Sequence, residues 1–201
     1  MDQATPGANR RVAIVVAGGS ARRMGGVDKL ALEVGGRTLL DRVLDAVGPL
    51  CDEVVVVGPT RPTSVKATVF TTEEAPGGGP VPAVAAGLAA VGAAGDVAVL
   101  AGDLPMLTTR DLDVLFAILA DPVVEAAAAV DDRGSRHPLL AVHRGPGIRA
   151  RIDGLGPLVG LPASHLLPPA TVSVHLGVGA TLNVNDPADL ERARALIEAR
   201  Q

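Results

Sequence analysis

Five consecutive aliphatic residues, Val12-Ala13-Ile14-Val15-Val16, run straight into a glycine-rich stretch carrying two arginines and a lysine, Ala17-Gly18-Gly19-Ser20-Ala21-Arg22-Arg23-Met24-Gly25-Gly26-Val27-Asp28-Lys29. A short unbroken apolar run bounded by glycine has the pattern of a strand buried on both faces, as in a parallel sheet covered by helices. Glycine lets the backbone turn sharply after such a strand and aim bare N–H groups at an anion, and the cations neutralise what binds there. The spacing is not that of the Walker loop, because no Gly-Lys-Ser/Thr closes it. It is not the dinucleotide fingerprint either, since Gly18 and Gly19 are adjacent. The stretch is a candidate phosphate site, with an ordinary βα turn flanked by solvated arginines as the bland alternative.

The rest of the chain alternates apolar strands with helical segments. Thr38 to Val47 places Leu39, Leu40, Val43, Leu44 and Val47 on one helical stripe. Strands are expected over 53–58, 67–70, 97–101, 126–130, 139–142, 172–174 and 182–184. Helices are expected over Pro80–Val91, over Arg110–Leu119 with Thr108 or Thr109 as cap, and over Asp186–Glu198, with short helices around 148–152 and 158–164. No internal repeat or long linker divides the chain. The expected fold is a single α/β domain over 11–201, three-layered (α/β/α) around a mostly parallel, Rossmann-like sheet, preceded by a flexible tail over 1–10.

Composition narrows the function. A chain of 201 residues buries a sizeable core without disulfide or metal staples. Its 18 basic and 22 acidic residues leave a net charge of −4, which gives no electrostatic reason to expect a nucleic-acid partner. Cys51 is the only cysteine, which excludes an internal disulfide framework and fits a reducing, cytoplasmic setting. No apolar run approaches the ~20 residues of a membrane span. Tyrosine and tryptophan are absent and phenylalanine occurs twice, so the core must be aliphatic and ring stacking on a ligand is limited.

In open α/β sheets ligands bind beyond the carboxyl ends of the strands. Asp103 follows the strand 97–101 in Gly102-Asp103-Leu104-Pro105, where a lone carboxylate either caps a turn or holds a cation such as Mg²⁺ against phosphate. The glycine loop, in the order Arg23, Met24, Gly25, Asp28, Lys29, resembles the signature of the molybdenum cofactor guanylyltransferases, the MobA-like nucleotidyltransferases. That pattern is Ala-Gly-Gly-x-Ser-x-Arg-Met-Gly-x-Asp-Lys; here Ala21 stands where serine is common and one extra residue precedes Asp28-Lys29. The Gly-Asp-x-Pro of Asp103 matches the family's metal-binding segment. Glu73 or Glu74 falls where the family carries an aspartate associated with the guanine nucleotide, before the loop ending in Gly79-Pro80. His137-Pro138 is similar to a segment on the pterin acceptor's side, and Asn183-Val184-Asn185-Asp186-Pro187 to the family's Asn-x-Asn-x-Pro. Asn185 or Asp186 is also a candidate helix N-cap. These motifs stand in the family's order and span almost the whole chain.

The resemblance implies transfer of GMP from GTP to the terminal phosphate of molybdopterin or the molybdenum cofactor, with release of pyrophosphate. It assigns catalysis to Arg23, Lys29 and Asp103, with Mg²⁺ on Asp103. Substrate binding falls to Ala17, Gly18, Gly19, Ser20, Gly25, Asp28, Glu73, Gly79, Pro80, His137, Asn183 and Asn185. The alternatives are a CTP-dependent cytidylyltransferase on the same pterin, another nucleotidyltransferase with a small phosphorylated acceptor, and a nucleotide-binding regulator. The expected assembly is a monomer or a weak homo-oligomer.

Overall fold

Alternate side chains of β1 (Arg11–Val16) enter two different cores. Ala13 and Val15 pack on one face of the sheet, Val12 and Ile14 on the other, all fully buried. This is the strand expected from the run of small branched residues. The computed structural model describes residues 10–18, 28–63, 65, 68–74 and 77–200. The expected tail, through residue 9, lies outside them, as do Gly19, Ser20, Arg23 and Gly25 of the glycine loop.

Beyond β1 come a 3-10 turn (Lys29–Ala31), the two-residue strands β2 (Glu33–Val34) and β3 (Arg37–Thr38), and helix α1 (Leu39–Val47). Then follow β4 (Glu53–Val57), β5 (Thr68–Thr71), α2 (Pro80–Val91), β6 (Asp96–Ala101), α3 (Thr109–Ile118), β7 (Ala126–Val130) and β8 (Arg136–Arg144). Helix α4 (Gly145–Asp153), β9 (Val172–His175) and α5 (Pro187–Glu198) complete the order. The seven-stranded sheet runs β5-β4-β1-β6-β8-β7-β9, and only β8 is antiparallel to its neighbours. The first core lies under α1, α3 and α5, where Leu39, Leu40, Val43, Leu44, Leu112, Leu115, Phe116 and Leu190 close on the sheet. The second lies under α2 and α4, with Val81, Val84, Leu88, Ile148 and Ile152. The three layers expected from sequence are therefore present.

Capping places the helices. Thr38 accepts the Asp41 amide at 3.0 Å to start α1. Thr108 and Asp111 form a reciprocal capping box at α3. The other Asp111 oxygen accepts the Gly177 amide at 3.0 Å and so draws the segment after β9 against α3.

Two expectations are corrected. Leu182–Val184 is not a strand: β6 already has β1 and β8 on its two edges, so the segment finds no open ladder. Its amides bond elsewhere, Leu182 to the Gly179 carbonyl at 2.8 Å and Val184 to the Asp103 carbonyl at 3.1 Å. The β2–β3 hairpin was not expected; Gly35 and Gly36, with φ of +58° and +71°, supply the left-handed pair that a two-residue hairpin turn requires.

Candidate active site

The chain leaves β1 toward β4 and β5 on one side, then returns to β6 on the other. The order therefore reverses between β1 and β6, and a crevice opens beyond their carboxyl ends. Backbone bonds hold that edge together. The Ala17 amide donates to Val57 O at 2.8 Å, the Gly102 amide to Val16 O at 3.0 Å, and the Gly58 amide to Thr71 O at 2.8 Å. Gly58 has φ of +149°, and a Cβ there would lie 2.7 Å from the Ala17 carbonyl and 2.9 Å from Gly18 N. Only glycine lets the end of β4 approach the start of the loop so closely.

Lys29 and Asp103 meet across the crevice. Lys29 Nζ donates to Asp103 Oδ2 at 2.5 Å, and both side chains are largely buried. The lysine is delivered by the 3-10 turn, whose Leu30 packs beneath Gly102. Asp28 caps that turn, accepting the Leu30 amide on Oδ1 at 3.2 Å, while its Oδ2 accepts Arg61 Nε at 2.7 Å. Asn183 Nδ2 donates to Asp103 Oδ1 at 3.3 Å, and Asn183 Oδ1 is buried with no partner.

An orphaned carboxamide oxygen beside a carboxylate suits a hard cation. Mg²⁺ takes one or two carboxylates, retains water and shares phosphate oxygens, so Asp103 with Asn183 nearby fits it. Among the described residues no three His, Cys, Asp or Glu side chains gather to hold a metal by themselves.

Glu73 closes the loop before α2. Its Oε1 accepts the Gly77 amide at 2.6 Å, and its Oε2 is buried with no partner among the described residues. Glu74 is exposed. Gly78 O accepts the Gly160 amide at 2.7 Å, and Gly79, with φ of +106°, leads into Pro80 at the first position of α2.

On the other side of Asp103 a cleft of about 760 Å³ opens between the ends of β7, β8 and β9 and the start of α5. It is lined by His137, Asn183 and Asn185, together with His175, Arg133 and Arg192. His137 stands 3.9 Å from Asp131. Burial pushes the His137 imidazole below its usual range, and Asp131 partly opposes this. Asp131 itself is held below the usual carboxylate range, chiefly by the Ser135 amide and also by the Arg133 amide. The Asn185 amide donates to Asp189 at 2.9 Å, Asp186 is the N-cap of α5, and the Asn185 side chain is exposed at the cleft mouth.

Ala17, Gly18, Asp28, Lys29, Glu73, Gly79, Pro80, Asp103, His137, Asn183 and Asn185 thus all stand at one edge of the sheet. Two groups were not singled out in the sequence. Gly58 ends its strand as Gly102 does, a signal visible in the pattern Val57-Gly58. Arg61, Arg133, Arg192 and His175 carry no motif, and only folding brings them to the edge. His143 lies far from it, opposite Val97 near the start of β6.

A glycine-loop strand, a switch point and a lysine–carboxylate pair across it define a nucleotide-binding α/β domain of the nucleotidyltransferase type. Residues 13–160 match the MobA-like NTP transferase domain, and the chain belongs to that family. It is 32% identical over 198 residues to the molybdenum cofactor guanylyltransferase of Cereibacter sphaeroides, covering 94% of this chain and 97% of the relative. Its fold is similar to that of molybdopterin-guanine dinucleotide biosynthesis protein A from Archaeoglobus fulgidus (TM-score 0.70, 22% identity, 94% of this chain and 99% of the other). The 2-C-methyl-D-erythritol 4-phosphate cytidylyltransferase of Thermus thermophilus shares the fold too (TM-score 0.65, 22% identity, 94% and 99%).

Proposed function

We propose that the protein transfers GMP from GTP to the terminal phosphate of molybdopterin or the molybdenum cofactor, releasing pyrophosphate. The observation that carries this reading is the 2.5 Å contact of Lys29 with Asp103 at the switch point, beside the glycine loop. The relatives named as molybdenum cofactor guanylyltransferases support the choice of substrates.

A phosphate monoester near neutral pH is largely dianionic, its second pKa being about 6. The acceptor oxygen is therefore already charged, and no Ser-His-Asp set is required. That oxygen bonds to the α-phosphorus as the α–β bridging bond breaks, and pyrophosphate leaves with the electron pair. The obstacle is repulsion between two polyanions and the charge developing on the leaving group. The Gly18 amide, with Gly19, Ser20 and Gly25 further along the loop, is suited to hold the triphosphate, while Ala17, whose amide is spent on Val57 O, fixes where the loop begins. Arg23 and Lys29 supply positive charge to it. Asp103 orients Lys29, and with Asn183 it forms the place for Mg²⁺, which would supply charge neutralisation on the phosphates.

Glu73 supports guanine over cytosine. Its unpartnered Oε2 accepts only, and a guanine edge offers the ring N–H and the amino group side by side. Gly79 and Pro80 bring α2 up to the same loop. The cleft holding His137, Asn183 and Asn185 receives the acceptor. One cysteine and a balanced charge fit a cytoplasmic enzyme of small substrates without nucleic acid, and no described helix is long and apolar enough to cross a membrane.

Incubation with GTP, Mg²⁺ and molybdopterin, with product identification by mass and pyrophosphate release compared for GTP and CTP, tests the proposal. A guanine dinucleotide product is expected. Preference for CTP would move the reading to a cytidylyltransferase, and GTP binding without turnover on any phosphorylated acceptor would move it to a regulator.

A further inference from the structure

The loop after β4 is fastened to the segment that carries Lys29 through Arg61 and to α1 through Thr63. Arg61 Nε donates to Asp28 Oδ2 at 2.7 Å, and Arg61 Nη1 donates to Pro59 O at 3.0 Å, so the guanidinium bridges its own loop to Asp28. Two residues on, the Thr63 hydroxyl donates to the buried Asp41 carboxylate at 2.6 Å, near the start of α1. The Arg61 side chain is only 12% exposed, unusual for an arginine on a loop. Asp28 has both oxygens engaged by protein donors, and the amide on Oδ1 is that of Leu30, next to Lys29.

We infer that Arg61 is a positioning residue for Lys29, acting through Asp28. The chain of contacts is continuous: the β4 loop holds Arg61, Arg61 holds Asp28, Asp28 caps the 3-10 turn, and the turn points Lys29 Nζ at Asp103. A lysine side chain has four rotatable bonds, and its charge is useful only where the stem is aimed. The guanidinium fixes the turn that carries the stem from a different strand end, by a planar donor on a carboxylate. Asp28 is on this view occupied in holding the turn, and Arg61 never touches the reacting phosphates.

Lys29 is one of two lysines in the chain, the other being Lys66, so amine chemistry at Lys29 is read cleanly by peptide mass. Trace acetylation with isotopic acetic anhydride, scaled to an added lysine peptide, is measured in wild type, Arg61→Gln, Asp28→Asn, the double variant and Arg61→Lys. Release of Lys29 from Asp103 is expected to raise its labelling about three- to fivefold in each single variant, with no further rise in the double. Arg61→Lys, which keeps charge and a donor, retains most of the protection and also tests whether the fold survives. The expected effect on turnover rests on the nucleotidyl transfer proposed above, whereas the labelling does not. There kcat falls about ten- to a hundredfold with KM for GTP little changed. Unchanged Lys29 labelling in Arg61→Gln, or independent effects that multiply in the double variant, overturns the inference. A wild type that labels as expected but turns over no GTP sinks the reaction and leaves the positioning role standing.

Discussion

Asn183 donates its Nδ2 to Asp103 Oδ1 at 3.3 Å, joining residues eighty positions apart. A carboxylate only accepts, so the contact uses the amide nitrogen and leaves Asn183 Oδ1 buried, with no partner among the described residues. Lys29 occupies the other Asp103 oxygen. Asp103 is therefore shared between the glycine-loop side and the cleft side of the site.

Lys29→Ala and Asp103→Ala are each expected to lower turnover by about 10²–10³, the usual cost of removing one preorganised charged contact in a transition state. Initial rates of pyrophosphate release, with circular dichroism to verify the fold, decide it. A variant with near-normal turnover excludes that residue from the mechanism.

Gly58→Ala forces a methyl to within 2.7 Å of the Ala17 carbonyl at a φ of +149°. Strain of this kind costs on the order of 1–3 kcal/mol. A lower melting temperature and weaker GTP binding are expected together, because the atoms displaced are the start of the glycine loop. Gly36→Ala, also at positive φ but with no described atom near its Cβ, should lower stability and leave GTP affinity intact.

Arg192 lines the cleft from α5, is exposed and shares that lining with Arg133. Arg192→Glu is expected to raise KM for the acceptor several-fold, on the order of 1 kcal/mol, with KM for GTP unaltered. Steady-state kinetics with each substrate varied in turn measures this, and equal shifts in both constants would separate Arg192 from acceptor binding.

Burial pushes His143 down to about 4, with Arg151 adding to the shift, and its Nε2 has no partner. The unfolded chain carries this group near 6.5, so between the two values it binds more protons than the folded chain. The neutral folded form contributes fully above pH 6.5, and stability drains as pH falls toward 4, by on the order of 3 kcal/mol from this group. Denaturant titrations from pH 7.5 to 4.5 should show the slope, and His143→Leu should flatten it.

Element positions were legible because each carries a local signal: Val12–Val16 an apolar run, Leu39–Val47 a stripe, Thr108 a cap. The Gly35-Gly36 hairpin carries such a signal too, a glycine pair between two short segments. Leu182–Val184 misled because its alternation is that of a strand, while strand formation needs a free edge that β6 does not have. At the site, Lys29, Asp103, Glu73, His137 and Asn183 were visible through their motifs. Arg61, Arg133 and Arg192 were not, since a charged residue in a polar loop looks the same whether it faces water or a cleft.

Local chemistry settled by itself that this chain builds buried parallel strands, puts glycine just past the first of them, and sets acids beyond later strand ends. Those are consequences of side-chain period and glycine freedom, which act over a few residues. Which acid faces which cation was decided by sheet order: placing β6 on one side of β1 brings Lys29 onto Asp103, and placing β4 on the other sets Arg61 on Asp28. Pairings between segments so distant in the chain are chosen by how the layers bury their apolar faces, and no short stretch of sequence encodes that choice.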